Sequence, residues 1–160
     1  MKAKDIMMTD VVSVSPETTV KEVAKILFEN HISGVPVIDR EKKILGIITE
    51  GDLVARDSKL RIPDVIQILD SFFYTGGTKE FEQEFRKITA IKAKELMTAR
   101  VVTANEDTSV EDLATIMTEK RVNPIPVATA DGTLVGIVSR SDIIWLLARE
   151  ELKTRSKHAN

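Results

Sequence analysis

Apolar residues recur along this chain in two rhythms. Val20, Val23, Ala24 and Leu27 fall at helical spacing, and so do Val110, Leu113, Ala114 and Met117. Thr19 stands before the first series with Glu22 three residues on, and Ser109 stands before the second with Asp112 in the same place. Both have the spacing of a capping box, which predicts that helices start there. Between them lie short runs rich in β-branched residues, Val35-Pro36-Val37-Ile38 and Ile44-Leu45-Gly46-Ile47-Ile48, joined by a polar turn at 39–43. The matching turn further on is Ala130-Asp131-Gly132-Thr133, whose Asp-Gly pair suits a tight hairpin. Val11-Val12-Ser13-Val14 predicts a short extended segment that Pro16 ends. Thr49-Glu50-Gly51-Asp52 and Ser139-Arg140-Ser141-Asp142 each begin a last helix, which in the second copy Ile143, Ile144, Leu146 and Leu147 continue, with Trp145 expected in the core.

These patterns are one pattern written twice. Residues 4–54 lie over 94–144 without a gap, at an offset of 90. Met7/Met97, Val12/Val102, Pro36/Pro126, Gly46/Gly136, Ile47/Ile137 and Asp52/Asp142 are identical, and most other pairs are chemically close. The unit is β-α-β-β-α, which gives a mixed α+β chain of the α/β class. About fifty residues bury too little surface to be stable alone, so the two copies are expected to share a core. The expected layout is a first repeat over 1–62, a helical insert over 63–92, a second repeat over 93–153 and a tail over 154–160. In the insert, Pro63 starts a helix with Ile62, Val65, Ile66, Leu69 and Phe73 on one face; Gly76-Gly77 turns, and Phe81, Phe85 and Ile88 mark a second helix.

Charge and composition narrow the function classes. Lys and Arg number 23 against 25 Asp and Glu, which gives no general attraction to nucleic acid or an anionic membrane. There are no cysteines, so disulfides, thiolate catalysis and cysteine metal sites are out. His31 and His158 are far apart, without acidic partners at metal spacing, and read as surface residues. Gly76-Gly77-Thr78-Lys79 lacks phosphate-loop spacing. The opening Met1-Lys2-Ala3-Lys4-Asp5 carries no secretory pattern, and no stretch is apolar for the length a membrane helix needs. The expectation is a cytoplasmic protein without catalytic machinery or metal.

Asp5-Ile6-Met7, Val35-Pro36-Val37-Ile38-Asp39 and Gly46-Ile47-Ile48-Thr49-Glu50-Gly51-Asp52 return as Glu95-Leu96-Met97, Ile125-Pro126-Val127 and Gly136-Ile137-Val138-Ser139-Arg140-Ser141-Asp142. In this the chain resembles a tandem pair of CBS (cystathionine-β-synthase) domains standing alone. The resemblance implies two β-α-β-β-α repeats related by a pseudo-twofold axis. It also implies a regulatory, non-catalytic module that takes adenine nucleotides or adenosyl compounds in clefts between the repeats. No cofactor is implied beyond that ligand.

Thr49 and Ser139 each end a strand and begin a helix, where backbone amides and the positive helix end favour phosphate. Asp52 and Asp142, three residues on, can accept both hydroxyls of a ribose; the alternative is a capping carboxylate and nothing more. By the resemblance, one cleft combines Met7, Val12, Ser33, Gly34 and Val35 with Ile137, Ser139, Arg140 and Asp142. The other combines Met97, Val102, Asn123 and Ile125 with Ile47, Thr49 and Asp52. Arg140 could neutralise a phosphate where Glu50 would repel one, so the Asp142 cleft is favoured for an anionic ligand. The partners implied are the adenosyl ligand, a second copy of the chain, and a regulated protein left unidentified. The alternative is an assembly module whose clefts bind nothing. Leu53, Val54, Ile144, Leu147 and Leu152 supply apolar material for a dimer face.

Overall fold

A computed structural model of the chain describes residues 1–54 and 90–158. The expected insert helices, with Pro63, Phe73, Gly76 and Phe85, therefore lie outside the described residues. The elements are α1 (Ala3–Ile6), α2 (Val20–Asn30), β1 (Gly34–Ile38), β2 (Ile44–Thr49), α3 (Glu50–Val54), α4 (Ala93–Leu96), α5 (Val110–Glu119), β3 (Ile125–Ala128), β4 (Leu134–Val138) and α6 (Arg140–His158). The last helix continues to His158, past the 153/154 boundary read from the sequence.

The chain forms two compact units that do not coincide with the two repeats. One unit consists of Met1–Val12, Glu41–Ile44 and Val102–Asn160; the second consists of Ser13–Arg40 and Leu45–Val101. Each unit thus contains the body of one repeat and the lead-in segment of the other.

In the first unit, Ala3 is fully buried and its N–H donates to the Thr108 carbonyl at 2.8 Å, while Lys4 N–H donates to Glu106 at 3.0 Å. Val110 N–H, an orphan donor at the start of α5, finds the carbonyl of Met1 at 3.1 Å. The second unit repeats these contacts. Ala93 donates to Thr18 at 2.7 Å, Lys94 to Pro16 at 3.0 Å, and Val20 to Ile91 at 2.8 Å.

The two long helices of the repeats start as their sequences require. Thr19 accepts from Glu22 N–H, and the Glu22 carboxylate takes Thr19 N–H at 2.8 Å, which closes the reciprocal box. In α5, Ser109 accepts from Asp112 N–H at 3.0 Å, but the Asp112 carboxylate takes the Ser109 hydroxyl instead, at 2.7 Å. Helix α2 ends at His31 in the left-handed region, φ 52°, with its side chain exposed as expected. Val23 and Leu27 face one core, Leu113 and Met117 the other; Ala24 is exposed.

Each unit has a two-stranded sheet, β1 with β2 and β3 with β4, and the second pair is antiparallel. The expected extended segment at 11–14 contributes one residue to a sheet. Val14 bridges β1 in parallel, as Ala104 bridges β3. On the opposite edge the lead-in segments pair antiparallel, Met8 with Ile137 in the first unit and Thr98 with Ile47 in the second. The Asp131-Gly132 turn forms as expected, with Gly132 at φ 84° where a side chain would be strained. Lys43 reaches this turn from 41–44, donating to the Asp131 carboxylate and to Thr133 Oγ1.

Helix α6 corrects one expectation. Ile143 packs on the core and Leu146 is buried, but Trp145 is 59% exposed, with the Arg149 guanidinium 5.1 Å from its ring centre. At about 100° per residue, a helix that turns 143 and 146 inward must turn 145 away.

Candidate functional site

The two Ser/Thr-x-x-Asp segments fold into the same device. In the first unit, Asp142 Oδ2 accepts Ser139 N–H and Ser139 Oγ–H, both at 2.7 Å. In the second, Asp52 Oδ2 accepts Thr49 N–H at 2.7 Å and Thr49 Oγ1–H at 2.9 Å. Strand β4 or β2 delivers the Ser or Thr, the helix begins at the next residue, and the acid at N3 turns back onto the cap. One carboxylate oxygen is consumed. The other, Oδ1, accepts no hydrogen bond among the described residues, and both aspartates are half-buried.

The expectation that free helix amides await a phosphate does not hold for the first two amides of either turn. Thr49 and Ser139 N–H serve the aspartates. Glu50 N–H donates to the Ser33 carbonyl at 2.9 Å, and Arg140 N–H donates to Asn123 Oδ1 at 2.9 Å. Arg140 and Glu50 are both exposed at the first helical position, with opposite sign.

The other named residues divide between the two units. The first unit holds Met7, Val12, Ile137, Ser139, Arg140 and Asp142, together with Val102, Asn123 and Ile125; the second holds Ser33, Gly34, Val35, Ile47, Thr49, Asp52 and Met97. Met8 N–H donates to the Ile137 carbonyl and Ile137 N–H to Met8, both at 3.0 Å, so the lead-in segment runs beside the strand that ends at Ser139. Thr98 and Ile47 exchange the same pair at 2.9 and 3.1 Å beside Thr49. Val35 and Ile125 are fully buried, so their side chains belong to the cores and only their backbone could meet a ligand. Ile47, Ile137, Met7 and Met97 are half-buried, and Val12 is exposed.

Sequence reasoning missed the ion pairs that hold the lead-in segments. Lys2 and Lys4 reach Asp107 at 3.0 and 2.9 Å, and Lys92 and Lys94 reach Glu17, the latter at 2.6 Å. Lys92 and Lys94 hold Glu17 at about 2, and Lys4 and Lys2 hold Asp107 at about 2, well below the usual carboxylate range. The signal was present, since Lys2/Lys92, Lys4/Lys94 and Glu17/Asp107 all obey the offset of 90. Among the described residues no cluster of His, Asp and Glu could hold a metal ion, and no helix is long and apolar enough to cross a membrane.

Comparison with known proteins places this geometry. The chain is 30% identical over 154 residues to the uncharacterized protein MJ1426 of Methanocaldococcus jannaschii, covering 92% of this chain and 91% of that one. It is 35% identical over 136 residues to the CBS domain-containing protein CBSX1, chloroplastic, of Arabidopsis thaliana, covering 82% of this chain but only 56% of the relative. Among solved structures, the CBS domain pair of protein MJ0100, in complex with 5′-methylthioadenosine and S-adenosyl-L-methionine, superposes with a TM-score of 0.67 at 25% identity, over 94% of this chain and 98% of that one. The CBS domain model matches twice, at residues 3–59 and 93–149, and the chain belongs to that family as a CBS-domain pair.

Proposed function

We propose that the chain is a regulatory, non-catalytic module that senses an adenine nucleotide or adenosyl compound through its Ser/Thr-x-x-Asp turns. The observation that carries this reading is the duplicated aspartate with one oxygen spent on the helix cap and the other, Oδ1, accepting no hydrogen bond among the described residues. A carboxylate fixed in this way can take the two hydroxyls of a ribose without losing its place on the cap. That the related CBS pair of MJ0100 was solved with two adenosyl compounds supports the same ligand class here. The exposed charges divide the two turns: Arg140 suits a phosphate-bearing ligand, and Glu50 suits a neutral or cationic one.

The module acts in the cytoplasm as a homodimer and passes ligand occupancy to a partner protein through a shift between two arrangements. The dimer has its own support in Ile144, Trp145 and Leu147, which are exposed together on α6. Titration calorimetry with AMP, ATP, S-adenosylmethionine and 5′-methylthioadenosine tests the reading. Binding of at least one, lost in the Asp52→Ala/Asp142→Ala double variant, is expected. Absence of heat with all four overturns it in favour of a ligand-independent assembly module.

A further inference from the structure

The loop ahead of each sheet is tied to the turn that carries the aspartate, and the two repeats make that tie differently. In the second unit the acceptor for Glu50 N–H is the backbone carbonyl of Ser33. In the first unit the acceptor for Arg140 N–H is the side chain of Asn123. Ser33 and Asn123 are equivalent positions at the offset of 90, as are Glu50 and Arg140. Asn123 Oδ1 thus lies 2.9 Å from the amide next to Ser139.

We infer that Asn123 is a positioning residue for the Ser139/Asp142 turn. The inference rests on the ligand reading above for its functional consequence, but not for the contact itself. Arg140 N–H belongs to the peptide that Ser139 shares with Arg140. The carbonyl of that same peptide accepts Asp142 N–H at 3.2 Å, and Ser139 N–H and Oγ–H hold Asp142 Oδ2. Fixing the peptide plane from the Asn123 side therefore fixes the direction in which Asp142 Oδ1 points. The second unit achieves the same with a carbonyl that no substitution at Ser33 removes, so the two turns differ in how far a side chain sets their aim.

The test measures ligand and backbone separately. In an Asp52→Ala background, where one turn remains, 5′-methylthioadenosine is titrated into Asn123→Ala and Asn123→Asp; the ligand carries no charge, so the new carboxylate does not repel it. Asn123→Ala is expected to weaken binding about threefold to tenfold, the effect of one net hydrogen bond. Asn123→Asp, which keeps an acceptor, is expected to restore affinity. Hydrogen exchange at the Arg140 amide, read without ligand, is expected to accelerate in Asn123→Ala and recover in Asn123→Asp. Unchanged exchange in Asn123→Ala overturns the inference. Unchanged affinity also overturns it if Asp142→Ala abolishes binding in that background. If Asp142→Ala leaves binding intact, it is the ligand reading of this turn that falls, while the exchange result still decides the contact. Equal losses in Asn123→Ala and Asn123→Asp with a lowered melting temperature would mark a merely structural residue, which also overturns it.

Discussion

Met7 lies across the face of Gly136 so closely that a Cβ built on the glycine would sit 2.9 Å from Met7 Cγ and nearer still to Sδ. Met97 covers Gly46 in the same way, with its own Cβ 2.9 Å from the hypothetical carbon. The glycines therefore make room for the lead-in segment that each unit takes from the other repeat, and the methionines fill it. Gly136→Ala and Gly46→Ala are expected to lose about 1–3 kcal/mol of stability through overpacking, measured by urea denaturation. Gly51, in α3, has only an ordinary 3.5 Å neighbour in Thr49 Oγ1. Gly51→Ala should instead gain about 0.5–1 kcal/mol from helix propensity. Equal effects at all three positions would show that the methionine contact is irrelevant.

Acid should loosen the lead-in segments. Glu17 titrates at about 2 in the folded chain against an ordinary 4.5, and Asp107 at about 2 against 3.8, because each carboxylate accepts from two lysines. A folded pKa below the unfolded one means the folded state holds its proton less tightly. The contribution to stability is therefore full above the ordinary values and is lost as pH falls toward 2. Melting temperature should decline through this window in the wild type. In the Glu17→Gln/Asp107→Asn variant it should start lower at neutral pH and decline less. All four lysine pairs are exposed to solvent, so high salt should reduce the difference between the two proteins. Parallel pH profiles would remove these ion pairs from any role in acid sensitivity.

Removal of the Asp142 carboxylate should cost ligand affinity about 1.5–3 kcal/mol, the range for a hydrogen bond to a charged group. The charge beside it should sort ligands. With Asp52→Ala as background, Arg140→Glu is expected to weaken AMP about threefold to tenfold more than 5′-methylthioadenosine, since only the former carries phosphate charge. Calorimetry that shows equal losses for both ligands would exclude Arg140 as the phosphate partner.

Much of this was legible in the residues because repetition doubles every local signal. Thr19 and Glu22, Asp131 and Gly132, and the helical spacing of Val110, Leu113 and Met117 each specify local geometry by their own chemistry. What stayed hidden depended on which parts of the chain meet. Nothing local to Met7 says that it belongs with Gly136, and nothing local to Asn123 says that its amide serves Arg140. Trp145 was misplaced for a related reason. Within Ile143-Ile144-Trp145-Leu146-Leu147 every position is apolar, so periodicity cannot choose the buried face. The packing of Ile143 and Leu146 on the core chooses it.

That choice leaves an outward face on α6 that is apolar where a helix surface is ordinarily polar. Ile144 is 64% exposed, Trp145 59% and Leu147 62%, and the three span adjacent positions around the helix. An exposed apolar cluster of this kind is a candidate interface, and twofold pairing is the commonest arrangement. Light scattering at tens of micromolar is expected to return about twice the chain mass of 17.8 kDa. Ile144→Asp/Leu147→Asp should return the single-chain mass with the fold intact, because neither side chain belongs to a core. Trp145 supplies an internal reporter. Its emission should shift to longer wavelength on dilution as the face becomes wet, and should already be shifted in the double variant. A wild-type mass near 17.8 kDa across this range, with and without AMP, defeats the dimer. A dimer that survives both aspartates would place its interface away from this face of α6.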